Sequence, residues 1–452
     1  MKTIFITSFN PFIGRNILFS PVLTTLLKKR DIRVVVFVYD YKAAYFKSVL
    51  PKTIIVHGLP PGAVTREDVF FRNVGQAIVD TSTLRFHSRR LYAENKNGIR
   101  YFGAKLLREI FGHGDFIKRM VRAIDEKLIV RSGERFAEFF ARYRPDMLFA
   151  TDMFHNDDTH FLAEAKKRGV RTIGMIRSWD NITTKGLFRI KPDRLIVHNH
   201  VIAAEAREYE AMREEELFVS GLPQFDYYAE GTAMPKQTFL KARKLKPRKK
   251  IILFAPHGKR FHDTDGQILE ILKQARNDGR LPRTLQYIVR FPPNDTVDIS
   301  AWKEDVDFSI ERTGKSFKPG AYNDQEVTME DTQTLHDELA YAAMVLHYGS
   351  TLAIDASSFD RPNIFISFDG FEKPSYWRSV RKFREYAHVE KLLRTGACKI
   401  ADTAEELIAH INFYLKHPDA DKKERARLVK EQCVWTDGKS GERLGEFLLR
   451  ML

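Results

Sequence analysis

A pair of Rossmann-like α/β domains facing across a cleft is the fold class this sequence predicts, and three observations predict it. Apolar, β-branched runs alternate with amphipathic segments over most of the chain, the pattern of parallel strands crossed over by helices. A polar, basic stretch at 234–250, with two prolines and a cluster of lysines, interrupts the alternation before it starts afresh. And 452 residues exceed what one ordinary core holds, so about two to three domains are expected. Such sheets bind ligands beyond the carboxyl ends of their strands, which directs attention to the loop after each apolar run.

Taken in order, Ile4-Phe5-Ile6 is the first buried strand, followed by the loop from Ser8 through Asn10 and Gly14-Arg15-Asn16 and a helix through Leu26 and Leu27. Arg33-Val34-Val35-Val36-Phe37-Val38 is the second strand and Thr53-Ile54-Ile55-Val56 the third. From about 66 to 143 the spacing turns helical, with Leu106, Leu107, Ile110 and Phe111 on one face and cations opposite. Strands resume at Met147-Leu148-Phe149-Ala150, Arg171 to Ile176, Arg194-Leu195-Ile196-Val197 and Leu217-Phe218-Val219. They complete an N-terminal domain over 1–222 with a basic helical insertion, and 223–249 reads as the linker. The second domain, 250–435, has strands at Ile251 to Ala255, Gln286 to Arg290, Met344-Val345-Leu346 and Ile364-Phe365-Ile366. A terminal helix over 436–452 can pack back on the N-terminal domain.

Composition narrows the chemistry. The 43% hydrophobic and 12% aromatic content supplies packed cores. Only Cys398 and Cys433 are present, which rules out a disulfide framework and a cysteine zinc site and suggests a reducing cytoplasm. The apolar run at the N-terminus is too short for a signal peptide, and none approaches the ~20 residues of a membrane span, so a soluble or inner-face peripheral protein is expected. A net charge of +15 favours anionic partners. Nucleic acid is not expected, because no aromatic stacking platform or nucleic-acid motif accompanies the charge. The helical insertion interleaves Arg85, His87, Arg89, Arg90, Lys105, Arg108, Lys118, Arg119, Arg122 and Lys127 with Phe86, Leu91, Phe102, Leu106, Phe111 and Phe116; it suits either an anionic lipid surface or a solvated helix face.

Three loops of the second domain suit an anion. His347-Tyr348-Gly349-Ser350-Thr351 reads as a strand, a tight turn and a helix start, where backbone N–H groups, two hydroxyls and the helix dipole can hold a phosphate, or where the hydroxyls merely cap their helix. His257, Gly258, Lys259 and Arg260 follow the first strand, and Arg290 ends the next. Asp355, one turn into the helix, can bond a ribose hydroxyl or serve packing. In the first domain, Trp179-Asp180-Asn181 through Lys185 follows a strand; Asp180 is the candidate base, with an Asx-type loop as the alternative. Asn10, Arg15, Asp152, His155, Trp179, Asn181 and Lys185 are acceptor-side candidates. The Asp and His residues of 151–160 match no standard ligand spacing, so no metal or other cofactor is expected.

Several of these segments occur in an order that resembles bacterial GT-B glycosyltransferases, nearest to the branch of CDP-glycerol glycerophosphotransferases and related surface-polysaccharide enzymes. Ser220-Gly221-Leu222-Pro223-Gln224-Phe225-Asp226 is similar to that family's Gly-x-Pro-Arg-x-Asp, and Phe254-Ala255-Pro256-His257-Gly258-Lys259-Arg260 to its Tyr-Ala-Pro-Thr-Trp-Arg. Gly349-Ser350-Thr351-Leu352-Ala353-Ile354-Asp355 with Arg361-Pro362 resembles its Tyr-Ser-Ser-x-x-x-Asp and Lys-Pro, and Asp437-Gly438-Lys439-Ser440-Gly441-Glu442-Arg443 its Asp-Gly-Lys-Ala-x-x-Arg. The resemblance implies hydroxyl contacts to a donor phosphate. Two family histidines are missing: Trp179-Asp180-Asn181 replaces Trp-His-Gly, and Arg290-Phe291-Pro292-Pro293 replaces Lys-Pro-His-Pro.

The resulting expectation is a metal-independent, inverting glycosyltransferase that moves a sugar from a nucleotide-sugar co-substrate to a glycan or lipid-linked acceptor in surface-polysaccharide synthesis. Ser350, Thr351, Arg290, Lys259 and Arg260 would offset leaving-group charge, and Asp180 would deprotonate the acceptor. The alternatives are a non-hydrolysing nucleotide-sugar 2-epimerase, a CDP-glycerol-type polyol-phosphate transferase and a non-catalytic anion-binding component.

Overall fold

The computed structural model describes residues 1–111, 114–258, 264–293, 305, 307–320 and 323–452. The chain forms two compact units, one of Met1–Ala229, Ser316–Glu326 and Cys433–Leu452, the other of Glu230–Lys315 and Val327–Gln432.

The first unit is built on seven parallel strands: β1 (Lys2–Ser8), β2 (Ile32–Tyr39), β3 (Ile55–Leu59), β4 (Met147–Ala150), β5 (Arg171–Met175), β6 (Arg194–Val197) and β7 (Leu217–Val219), in the order β3-β2-β1-β4-β5-β6-β7. Side chains alternate between the faces of a strand, and both faces here are covered, so the strands are apolar throughout. Phe5, Phe37 and Leu148 pack on one side with Phe136, Phe140 and Phe161. Ile4, Ile6, Val34 and Val36 pack on the other with Leu23, Leu26, Leu444 and Leu448. The third strand starts two residues later than its apolar run, because a turn joins the Ile54 N–H to the Pro51 carbonyl.

Helices Arg66–Ile78, Ser82–Asn95, Gly98–Phe111, Asp115–Gly133 and Ala137–Tyr143 fill the insertion, as its period predicts. Thr65 and Thr81 cap the first two through their hydroxyls. The terminal helix Ser440–Met451 lies against helix Pro21–Leu27, where Gly445 is so close that a Cβ would stand 2.7 Å from the Thr25 Cβ. Asp226 accepts the N–H groups of Ser440 (2.9 Å) and Gly441 (2.6 Å), which joins two of the ordered motifs into one helix cap.

The second unit has six parallel strands in its main sheet: β8 (Lys250–Phe254), β9 (Leu285–Phe291), β10 (Phe308–Arg312), β13 (Ala342–His347), β14 (Asn363–Ile366) and β15 (Cys398–Ala401), ordered β10-β9-β8-β13-β14-β15. Two short strands, β11 (Lys315–Ser316) and β12 (Gln325–Glu326), pair separately. The segment they bracket belongs to the first unit, where Glu326 is fully buried. Its carboxylate takes the Lys42 ammonium at 2.7 Å and the Gly14 N–H at 3.2 Å. Burial pushes the Glu326 carboxyl up to about 7, with Lys42 opposing. Within 223–249 the chain forms helices Pro223–Glu230 and Lys236–Ala242.

Candidate functional site

In each sheet the strand order reverses next to the unit's first strand, between β1 and β4 and between β8 and β13. Crossovers leave in opposite directions there, so the loops part and open a crevice at the carboxyl edge. The loops after β8 and β13 are 255–258 and 348–351, two of the three chosen from sequence.

His347 sets the second of these loops. It is wholly buried, and burial lowers its imidazole to about 4, so the ring is neutral. Nδ1 accepts the Gly349 N–H at 2.9 Å, leaving the proton on Nε2, 3.1 Å from the Asn363 Oδ1. Gly349 has φ +88°, and a Cβ there would meet the Phe365 ring at 2.9 Å, so the turn requires glycine. The turn delivers Ser350 and Thr351 to the start of helix Leu352–Ser358. Thr351 makes no side-chain cap, and the Ser350 Oγ is buried with no hydrogen-bond partner among the described residues. Asp355 is buried in the first helical turn.

The loop after β8 meets this turn through stacked rings, His257 on Tyr348 with centroids 5.8 Å apart and 7° between planes. The His257 and Gly258 N–H groups both donate to Asp265 (3.3 and 2.9 Å), a carboxylate not singled out from sequence, although it opens a helix as acids often do. His257, Gly258, Gly349, Ser350 and Thr351 are thus gathered at one switch point. Lys259 and Arg260 lie outside the described residues. Arg290 is committed elsewhere: it grips the fully buried Glu338 at 3.1 and 3.3 Å and donates to the Asp331 carbonyl at 3.1 Å, in a cluster with Arg243 and Glu311.

The first unit gathers its candidates in the loops after β1, β4 and β5. Asn10 accepts the Phe12 N–H at 3.2 Å in a turn that leads to the π-helical Gly14–Leu18. Arg15 donates to the Asn16 Oδ1 at 2.8 Å, and the guanidiniums of Arg15 and Arg177 lie 5.6 and 5.9 Å from the Phe12 ring centre. Arg177 also binds Asp152 at 2.8 Å. Burial would raise the Asp152 carboxyl, but Lys185, Arg177 and His155 outweigh it and hold the group well below the usual range.

His155 lies beside them, its ring stacked on Phe9 at 5.7 Å and its Nε2 3.1 Å from the Tyr39 hydroxyl, which donates to Asp157 at 3.0 Å. Neutral, its Nδ1 accepts the Asp157 N–H at 3.2 Å and caps helix Asn156–Lys167; protonated, it donates to the Asp158 Oδ2 at 3.2 Å. Burial opposes the charged ring, yet Asp158, Asp152 and Asp157 raise its pKa overall. Among the described residues no three His, Cys, Asp or Glu side chains are grouped to hold a metal.

Asn181 is buried and accepts the Ser178 N–H at 3.2 Å, forming the Asx-type link. Asp180 makes no side-chain cap to helix Asn181–Lys185 and accepts the Ser178 hydroxyl. Trp179 packs half-buried on the core, and the Lys185 ammonium sits 5.5 Å from the Phe154 ring centre.

No family model matches the sequence, and no curated protein matches it significantly. Solved structures do match over the full length. An S. aureus MnaA–UDP co-structure aligns with a TM-score of 0.55 at 12% identity, covering 100% of this chain and 98% of that one. UDP-GlcNAc 2-epimerase from Neisseria meningitidis, bound to UDP-GlcNAc, aligns with a TM-score of 0.54 at 11% identity, and the Methanocaldococcus jannaschii enzyme with 0.52 at 14%, each covering 100% of both chains. At these identities the likeness shows the fold, which is of the GT-B type.

Proposed function

We propose that this chain acts on a nucleotide sugar whose diphosphate rests on the Gly349-Ser350-Thr351 turn. One observation carries the reading: at a switch point of a parallel sheet, a buried Ser350 hydroxyl has no partner among the described residues, beside a Thr351 that caps nothing. An unsatisfied buried hydroxyl is costly, and a diphosphate oxygen is an acceptor that would relieve it. The first turn of a helix adds N–H groups and the positive end of its dipole.

Of the available reactions, isomerisation at the sugar C2 is the better supported, because UDP-GlcNAc 2-epimerases match the chain from end to end. Removing the C2 proton leaves an electron pair that can expel the diphosphate from C1, and return of a proton to the other face of C2 with re-addition of the diphosphate at C1 gives the isomer. Within the first unit, the Asp152–His155–Asp158 cluster, in which His155 has two alternative partners, holds titratable groups of the kind such an exchange uses.

A second reading is sugar transfer to a glycan or lipid-linked acceptor in surface-polysaccharide synthesis. It draws support from Asp180, whose carboxylate is not used to cap its helix and can serve as the base. Polyol-phosphate transfer has less support, because Asp180-Asn181 and Pro292-Pro293 stand where that branch has its histidines.

Incubation with UDP-GlcNAc alone, followed by proton NMR, separates the readings. An isomer formed without acceptor supports epimerisation, and UDP release that depends on an acceptor supports transfer. Absence of saturable affinity for UDP, CDP, GDP and ADP and their sugars would remove both and leave an anion-binding component.

A further inference from the structure

Two helices of the insertion carry an apolar stripe on their outward faces. On Gly98–Phe111, the residues Ile99, Phe102, Leu106 and Ile110 recur at helical spacing and face outward, Ile99 at 91% exposure, whereas Arg108 on the same helix is buried. On Asp115–Gly133, the residues Phe116, Met120, Ile124 and Leu128 recur every fourth position and are 75, 42, 48 and 56% exposed. A helix on a water-facing surface shows the reverse.

The orientation of the second helix is locked by its buried polar side. Lys118 donates to the Glu208 carbonyl, Arg122 to the Phe188 carbonyl at 3.1 Å and to Glu210 at 3.0 Å, and Asp125 receives Arg189 at 2.6 and 2.7 Å. Turning the apolar stripe inward would break all of these, at the high cost of unpaired buried charge. The stripe is therefore a fixed feature of the surface, and contiguous apolar surface of this kind marks an interaction site.

Charge indicates what covers it. Between Arg85 and Lys127 the sequence holds eleven lysines and arginines against five carboxylates, and with the buried Arg108, Lys118, Arg122 and Asp125 set aside the excess is eight against four. Exposed Arg119 and Lys127 flank the stripe, and a cavity of about 370 Å³ beside it is lined by Arg119, Arg122, Lys166, Lys191 and Arg213 together with Glu126 and Glu216. A second copy of this chain would bring like charges together, whereas a bilayer offers an apolar interior beneath anionic headgroups.

We propose that this face docks on an anionic lipid bilayer. Phe116, Met120, Ile124 and Leu128 enter the acyl boundary, and Arg119, Lys127 and the basic cavity engage phosphate-bearing headgroups. No helix among the described residues is long and apolar enough to cross a membrane, so these helices lie on the surface.

The test is co-sedimentation of the full chain with vesicles of phosphatidylcholine alone, and of phosphatidylcholine with an equal part of phosphatidylglycerol. Binding is expected to the mixed vesicles, to fall with salt, and to weaken about fivefold per cation removed in Arg119→Gln with Lys127→Gln. Phe116→Ser with Ile124→Ser should abolish it while the melting temperature holds, since both side chains are exposed. The proposal is overturned by no binding to mixed vesicles, by equal binding to both compositions, or by variants that bind like the parent. A dimer that Phe116→Ser with Ile124→Ser dissociates, without vesicle binding, would make a second copy the occupant instead.

Discussion

Replacing Ser350 with alanine should have opposite effects on the free and the ligated protein. In the free chain the Oγ is buried without a partner among the described residues, and such a group costs about 1–3 kcal/mol in lost hydration. Ser350→Ala removes the oxygen and its cost, leaving only a small void, so the free protein should be as stable as the parent or more stable by about 1 kcal/mol. For a unit of this size that is roughly 2–4 °C in melting temperature. With UDP bound, the variant loses a hydrogen bond to a charged acceptor, worth about 1.5–3 kcal/mol, and affinity should fall roughly 10- to 150-fold. Scanning calorimetry reads the first effect and titration calorimetry with UDP the second. A lower melting temperature together with UDP affinity within about twofold of the parent would refute the reasoning and make the hydroxyl structural.

Gly349→Ala should cost about 2–5 kcal/mol, from its φ of +88° and the 2.9 Å approach to Phe365; Gly279→Ala, at φ +78° with open space, should cost only about 1–2, and urea unfolding of both isolates the packing part. Lys42→Met should destabilise by about 3–5 kcal/mol because it strands the Glu326 carboxylate, and adding Glu326→Leu should restore most of the loss in chemical denaturation. His347 titrates near 4 when folded against 6.5 ordinarily, so the unfolded chain takes up the proton first. Its contribution to stability is present above pH 6.5 and lost as pH falls towards 4; His347→Gln should flatten that part of a stability profile.

The central strands were legible because strands buried on both faces read as unbroken apolar runs, as at Val34 to Val38 and Ile251 to Phe254. Strands β10 and β15 were not, since both are sheet edges, and sequences such as Phe308-Ser309-Ile310-Glu311-Arg312 need no continuous apolar character there. Loop chemistry was legible by residue type, and the turn at Gly349 lies where its glycine and hydroxyls indicated. Partners distant in sequence were hidden. Nothing near Arg290 announces that Glu338, 48 residues later, takes its guanidinium. Helical spacing gave the helices of the insertion but not the stripe at Phe116 to Leu128 or its direction, which Glu210 and Arg189 decide from other elements.

The chain passes between its two units after residues 229, 315, 326 and 432, so each sheet is a separate body without being a separable piece of gene. A single genetic crossover near residue 230 would bring together halves of different ancestry. Lys42 would then face a residue 326 from the other parent, and Asp226 the helix start at 440 and 441, so inheritance of the first sheet involves three stretches of sequence that must change in step. Recombination between diverged relatives should therefore succeed here far less often than two Rossmann-like sheets would suggest, and variation at 316–326 should follow the partner sites in the first 229 residues more closely than its own flanks.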